Sequence, residues 1–191
     1  MAGSVNNTAK TVVVLSGSPN PHSRLTGIIG YLQKQLTARG FVVDPLAAVS
    51  LPAEDLLLGR FDSPAIRAAI ERVARADIVI VASPVYKASY TGLLKTLLDV
   101  LPQKGLEGKT VLPIMIGGTI AHLLAIDYAL KPVLSALGAR HYIGGVYALE
   151  TQVIRTETPD GSSYALQDEL RARLDAAVEA LIEEEPAGAR P

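Results

Sequence analysis

Three apolar runs, TVVVLS at 11–16, IVIVAS at 78–83 and KTVLPIMIG at 109–117, pass almost unbroken by polar residues, and each is followed by a segment whose apolar residues recur at helical spacing. A run of this kind has no polar face to turn toward water, so it reads as a strand buried on both sides. Strands buried on both sides and alternating with helices restrict the fold to a parallel sheet covered by helices, joined by right-handed crossovers.

Between these runs the punctuation is consistent. GSPNPHS after the first strand is a turn, and Leu25, Ile28, Ile29, Leu32 and Leu36 then mark a helix from Ser23, with Gly40 where a C-terminal cap belongs. FVVD at 41–44 reads as a second strand. A helix from Ser63 to Ala76 follows, with Pro64 in its first turn. The third strand starts at Asp77, and a helix runs from about Ser89 to Leu101. After the fourth strand, Thr119 is placed to cap a long helix that ends at Leu137. Residues 141–149 read as a fifth strand, and Leu166, Leu170, Leu174, Val178 and Leu181 as a final amphipathic helix. Five such units predict an α/β fold of the flavodoxin-like kind: a five-stranded parallel sheet of order 2-1-3-4-5 with helices on both faces. Its ligand crevice lies beyond the carboxyl ends of strands 1 and 3.

No Pro/Gly/Ser-rich linker divides the chain, so residues 10–183 are expected to form one domain, with residues 1–9 and 184–191 as flexible ends. The net charge of −1 and the lack of any Lys/Arg run point away from nucleic acid and anionic membranes. The chain has no cysteine, which removes disulfides, thiolate chemistry, iron–sulfur clusters and most structural zinc sites. No metal site is expected, and redox chemistry has to come from a bound molecule. Without a signal-like leader or a membrane-length apolar run, the cytoplasm is the expected location.

Three loops fall at the crevice. The first gathers Ser16, Ser18, Ser23 and Thr26 at the start of a helix, where hydroxyls, free amides and the helix dipole suit a phosphate, and Arg24 can add a charge-assisted contact. It has neither the GK[ST] ending of a nucleotide-triphosphate loop nor G-x-G-x-x-G, so a monophosphate fits it better. The competing reading is a tight turn with a serine cap. The second loop, Ser83, Pro84, Val85, Tyr86, Lys87, Ala88, Ser89 and Tyr90, offers backbone groups and apolar walls to a flat heteroaromatic ring, although Tyr86 and Tyr90 also suit a subunit contact. The third, Gly117, Gly118 and Thr119, lets backbone approach a ligand closely. His122 beyond it reads as a surface or capping residue. Hydride transfer between two rings needs alignment more than an acid or base, so no catalytic residue is expected.

The segment 121–137 is apolar nearly all round, which calls for burial against a second subunit as well as the sheet. Pro132 cannot donate to the Tyr128 carbonyl, so a π-bulge is expected near Tyr128.

GSP at 17–19 with Ser23 and Arg24, EDLLLGRFDSPA at 54–65, ASPVYKASYTGLLKTLLDVLP at 82–102 and GGTIAHLLAIDYALKPVLSALGA at 117–139 closely resemble the NAD(P)H-dependent FMN reductases of bacterial two-component alkanesulfonate monooxygenase systems. The resemblance implies a flavodoxin-like homo-oligomer, dimeric or tetrameric, that uses NADPH or NADH to reduce FMN and passes it to a flavin-dependent monooxygenase. It also implies phosphate contacts at Ser16, Ser18, Ser23, Arg24 and Thr26, and ring contacts at Pro84, Val85, Tyr86, Lys87 and Gly117 to Thr119. Tyr128, with Tyr90, is assigned to the oligomer interface and flavin release. Asn20 stands where relatives often carry Arg. An FMN-retaining quinone or azo reductase is the alternative enzyme. A flavodoxin-type electron carrier is the alternative outside catalysis, and the near-neutral charge speaks against it.

Overall fold

The computed structural model describes residues 9–159 and 161–183. The ends expected to be flexible lie outside the described residues, apart from residue 9.

The three apolar runs form β1 (Thr11–Ser16), β3 (Ile78–Pro84) and β4 (Thr110–Gly117). With β2 (Val42–Ala47), β5 (His141–Tyr142) and β6 (Val146–Leu149) they make one parallel sheet, ordered β2-β1-β3-β4-β5, with β6 also pairing β4. This is the expected flavodoxin-like order. Side chains along each strand alternate between faces. Val13, Leu15, Val79 and Val81 enter a core with α3 (Pro64–Arg75), α4 (Gly92–Asp99) and α5 (Lys131–Ala136). Val12, Val14, Ile78 and Ile80 enter a second core with α1 (Arg24–Ala38) and α6 (Asp168–Glu183). Leu25, Ile28, Leu32 and Leu36 of α1 are wholly buried, each stabilising the fold by about 1.5–3 kcal/mol. Gly40, at φ +86°, ends α1, and Phe41 N–H reaches back to the Leu36 carbonyl at 3.1 Å.

The structure corrects several sequence expectations. The second strand runs on to Ala47 and carries Pro45, which an edge strand tolerates because one side of its backbone is unpaired. A short helix, α2 (Ala53–Leu57), precedes α3. The fifth strand is not continuous over 141–149: Ile143, Gly144 and Gly145 part it into β5 and β6. The long helix from Thr119 is also broken. Thr119 caps only a 3-10 turn (Ile120–His122), its hydroxyl accepting from Ala121 N–H at 3.2 Å. A π-helical turn (Ile126–Leu130) then leads into α5, with Lys131 N–H bonded to the Ile126 carbonyl. Tyr128 sits within that turn, where Pro132 led us to expect an irregularity.

The stretch before α6 is a hairpin that alternation did not reveal, β7 (Val153–Thr158) antiparallel to β8 (Gly161–Leu166). It lies on α1. Tyr164 occupies the space a side chain at position 27 would need: a Cβ on Gly27 would stand 2.6 Å from Tyr164 Cβ and Cγ. Arg24 Nε donates to the Val153 carbonyl at 3.0 Å at the other end of the same contact.

Candidate functional site

The loops after β1, β3 and β4 meet at the carboxyl edge of the sheet, and buried hydrogen bonds hold them to one another. Gly17 N–H donates to the Ala82 carbonyl at 2.8 Å, which brings the first loop against the end of β3. Thr91 is 2% exposed and caps α4 by accepting from Leu94 N–H at 3.0 Å; its hydroxyl donates to the Gly17 carbonyl at 2.7 Å, and its own N–H donates to Ser83 Oγ at 3.0 Å. The second loop joins the third through Val85 N–H and the Ile116 carbonyl at 2.8 Å.

In the first loop, Ser18 Oγ lies 2.9 Å from both Ser23 Oγ and the Asn20 carbonyl, and Ser16 Oγ stands 3.5 Å from Ser18 N. Ser23 occupies the N-cap position of α1 with extended backbone, yet its hydroxyl makes no capping bond. Thr26 N–H is taken up by the Ser23 carbonyl at 3.0 Å, and among the described residues the amides of Arg24 and Leu25 are left open to an outside acceptor, at the positive end of the helix dipole. Thr26 supports the loop from within, its hydroxyl donating to the Pro21 carbonyl at 2.8 Å. Arg24 is exposed and, among the described residues, tethered through Nε alone, so the rest of its guanidinium has no partner among them. Ser16, Ser18, Asn20 and Thr26 also border a mostly apolar hollow of about 230 Å³ between α1 and β2.

The second loop is a two-residue reverse turn. Tyr86 N–H donates to the Ser89 carbonyl at 2.8 Å and Ser89 N–H to the Tyr86 carbonyl at 3.1 Å, with Lys87 at φ 51° and Ala88 at φ 63°. Two successive non-glycine residues in the left-handed region cost on the order of 1–2 kcal/mol each, and such strain persists only where the surroundings hold it. The turn leaves the N–H groups of Lys87 and Ala88 without an acceptor among the described residues. Tyr86 is 54% exposed, whereas Tyr90 packs half-buried against the core, and burial followed by the Asp99 charge raises its phenol while Lys95 opposes.

In the third loop Gly117 is buried, while Gly118 and Thr119 are exposed. A Cβ at Gly118 would touch nothing within 4 Å, so this glycine faces open space. The segments 16–26, 84–91 and 117–122 contain no Asp or Glu but contain Arg24 and Lys87. Such a lining favours an anion.

The family of NADPH-dependent FMN reductases matches residues 11–153, a span that takes in all three loops. The chain belongs to this family. As a member it is an oxidoreductase of FMN and NAD(P)H. Similar relatives include an FMN reductase (NADPH) of Escherichia coli K12, 47% identical over 88% of this chain and 86% of the relative. Another is an FMN reductase (NADPH) of Pseudomonas putida KT2440, 47% identical over 86% of this chain and 84% of the relative. The crystal structure of an apo NADH:FMN oxidoreductase superposes with a TM-score of 0.81 at 33% identity, covering 96% of this chain and 98% of the other.

The residues present fit FMN. The open amides of α1 with Ser16, Ser18, Ser23 and Arg24 suit its phosphate, and the free amides of Lys87 and Ala88 suit the polar rim of its ring. The sequence placed Ser83 and Thr91 at the second loop without their bonding roles, and gave no sign of Tyr147, which holds the third. Thr91 stands two residues beyond the Tyr86–Ser89 turn and begins a helix, so its capping role was open to recognition; its bond to Gly17 was not.

Proposed function

We propose that the chain oxidises NADPH or NADH to reduce FMN taken up as a dissociable substrate, and passes reduced FMN to a flavin-dependent monooxygenase of the alkanesulfonate type. The observation that carries the reading is the crevice itself: three loops fixed to one another, bearing Arg24, Lys87 and open amides, and containing no carboxylate of their own to repel a phosphate. In that crevice Ser16, Ser18, Ser23 and Arg24 hold the phosphate, with Thr26 bracing their loop. Pro84, Val85, Tyr86, Lys87 and the Gly117–Thr119 loop frame the ring. FMN supplies the hydride acceptor, and the protein aligns two rings and excludes water.

The exposed stripe Ile120, Leu123, Leu124 and Tyr128, with Tyr128 79% exposed, supports burial against a second copy of this chain in a dimer or tetramer. Among the described residues no helix is long and apolar enough to cross a membrane, and a cytoplasmic location belongs to the same proposal.

The test is steady-state oxidation of NADPH and NADH by flavin-stripped protein, with FMN, FAD, riboflavin or a quinone as acceptor. Saturable turnover that depends on added FMN is the expected result. Turnover only with a quinone, after FMN has bound tightly, would move the assignment to an FMN-retaining reductase. Coupling is checked by adding an alkanesulfonate monooxygenase and following sulfite release.

A further inference from the structure

Tyr147 lies on β6, outside every loop assigned to the ligand, and is 3% exposed. Its side chain passes beneath Gly117 and its hydroxyl donates to the Thr119 carbonyl at 2.7 Å. The fit leaves no spare room: a Cβ on Gly117 would stand 2.3 Å from the Tyr147 hydroxyl oxygen and 3.3 Å from Val85 Cβ. Glycine at 117 is thus required by the tyrosine beneath it.

The tyrosine is itself held from behind. Arg173 of α6 donates to the Tyr147 carbonyl at 2.6 Å and to Gln152 Oε1 at 3.0 Å, and Gln152 Oε1 accepts from Leu149 N–H at 3.0 Å. Gln152 is buried. A continuous polar strut therefore runs from the C-terminal helix, through the end of β6, to the carbonyl that fixes the third loop.

We propose that Tyr147 is a positioning residue for flavin reduction: it sets the height and orientation of the Gly117–Thr119 loop, and through Arg173 it makes the loop's geometry depend on α6. The proposal rests on the reading that this loop borders the ring. The hydroxyl touches no reacting atom, so its loss acts on how well FMN is seated rather than on the hydride step.

The experiment measures NADPH oxidation at varied FMN for the wild type, Tyr147→Phe, Gly117→Ala, the double variant, Gly118→Val and Tyr31→Phe. Tyr31, whose hydroxyl bonds Asp175 at 2.6 Å between α1 and α6, controls for the loss of another tyrosine anchor on α6. Tyr147→Phe is expected to raise the KM for FMN about tenfold, with kcat at saturating FMN within about twofold, the size of one lost hydrogen bond. Gly117→Ala raises KM as well, but by less in the Tyr147→Phe background, because the oxygen it collides with is gone; the two changes are non-additive. Tyr31→Phe leaves KM within twofold.

Gly118→Val separates the two claims, since a Cβ there meets nothing within 4 Å and so adds bulk to the loop's exposed side without pressing on Tyr147. If Gly118→Val leaves KM unchanged, the ring does not border this loop and the site reading fails. If Gly118→Val raises KM while Tyr147→Phe does not, or if the Tyr147 and Gly117 effects simply add, the positioning role is overturned. Should Tyr147→Phe not fold, Gly117→Ala alone decides: it presses on the same hydroxyl, and an unchanged KM overturns the proposal.

Discussion

Thr91 Oγ1 and the Gly17 carbonyl, 74 residues apart in sequence, are joined by a 2.7 Å hydrogen bond in a part of the protein closed to water. The same hydroxyl caps α4, so one oxygen serves the first loop and the helix after the second. Thr91→Val keeps the volume and removes both functions, leaving the Gly17 carbonyl buried without a donor. A loss of about 2–3 kcal/mol is expected, read by urea unfolding, together with a raised KM for FMN. Unchanged stability would mean that water reaches the Gly17 carbonyl.

The first loop is expected to tell FMN from riboflavin. Arg24→Gln keeps a side chain able to bond the Val153 carbonyl and removes the charge. The preference for FMN over riboflavin in kcat/KM should fall about tenfold or more, while activity with riboflavin stays near the wild type. An equal loss with both flavins would place Arg24 in support of the hairpin alone.

Ala88 adopts φ 63°, a conformation that costs an L-residue but not glycine. Ala88→Gly should stabilise the protein by about 0.5–1 kcal/mol despite the greater freedom it gives the unfolded chain. Denaturant midpoints compared at constant m-value test this. Ala88→Val, adding a branched side chain at the same φ, should destabilise.

Asp44 on β2 and Arg72 on α3 form a two-point ion pair, at 2.8 Å through Arg72 Nε and 2.5 Å through a terminal nitrogen. The Arg72 hydrogen bond is the main cause that holds the Asp44 carboxyl below its usual value, burial opposing it. A depressed folded pKa means a contribution fully present above the unfolded aspartate value of about 3.9 and lost as pH falls through the folded pKa. Asp44→Asn should therefore cost stability at pH 7 and lose less on acidification to pH 3 than the wild type does. Parallel pH profiles for the two proteins would show that the pair contributes nothing.

The exposed stripe around the π-turn is expected to be covered in solution. Leu124→Ser with Tyr128→Ser should lower the mass seen by sedimentation at a given concentration, leaving circular dichroism intact. An unchanged mass would put the subunit contact elsewhere.

The sheet was legible because Val12–Leu15, Ile78–Ala82 and Val111–Ile116 are apolar on both faces, and only a central parallel strand fits such a run. The irregular turn at Tyr128 was legible for a local reason, the missing N–H of Pro132. The break at Gly144–Gly145 was hidden because Ile143, Val146 and Ala148 continue the strand pattern across it. The hairpin was hidden because its exposed face carries Ile154 and its partner strand reads GSSYAL, which has no clear apolar alternation. Within the site, residue types such as Ser, Arg, Gly and Tyr signalled what each loop offers. Which loop is bonded to which depends on contacts between distant segments, as with Thr91 and Gly17 or Tyr147 and Thr119, and no local pattern carries that.

The contact between Gly27 and Tyr164 bears on how this chain can be altered or recombined. The family match ends at residue 153, which invites treating the hairpin and α6 as an appendage that could be exchanged between relatives. The ring of Tyr164, however, lies where a side chain on α1 would be. A graft that brings a new C-terminal segment must bring the α1 surface shaped to it. One that brings a new α1 with even alanine at position 27 must displace the hairpin. The two positions have to be exchanged together, and the seam for exchange lies outside the pair.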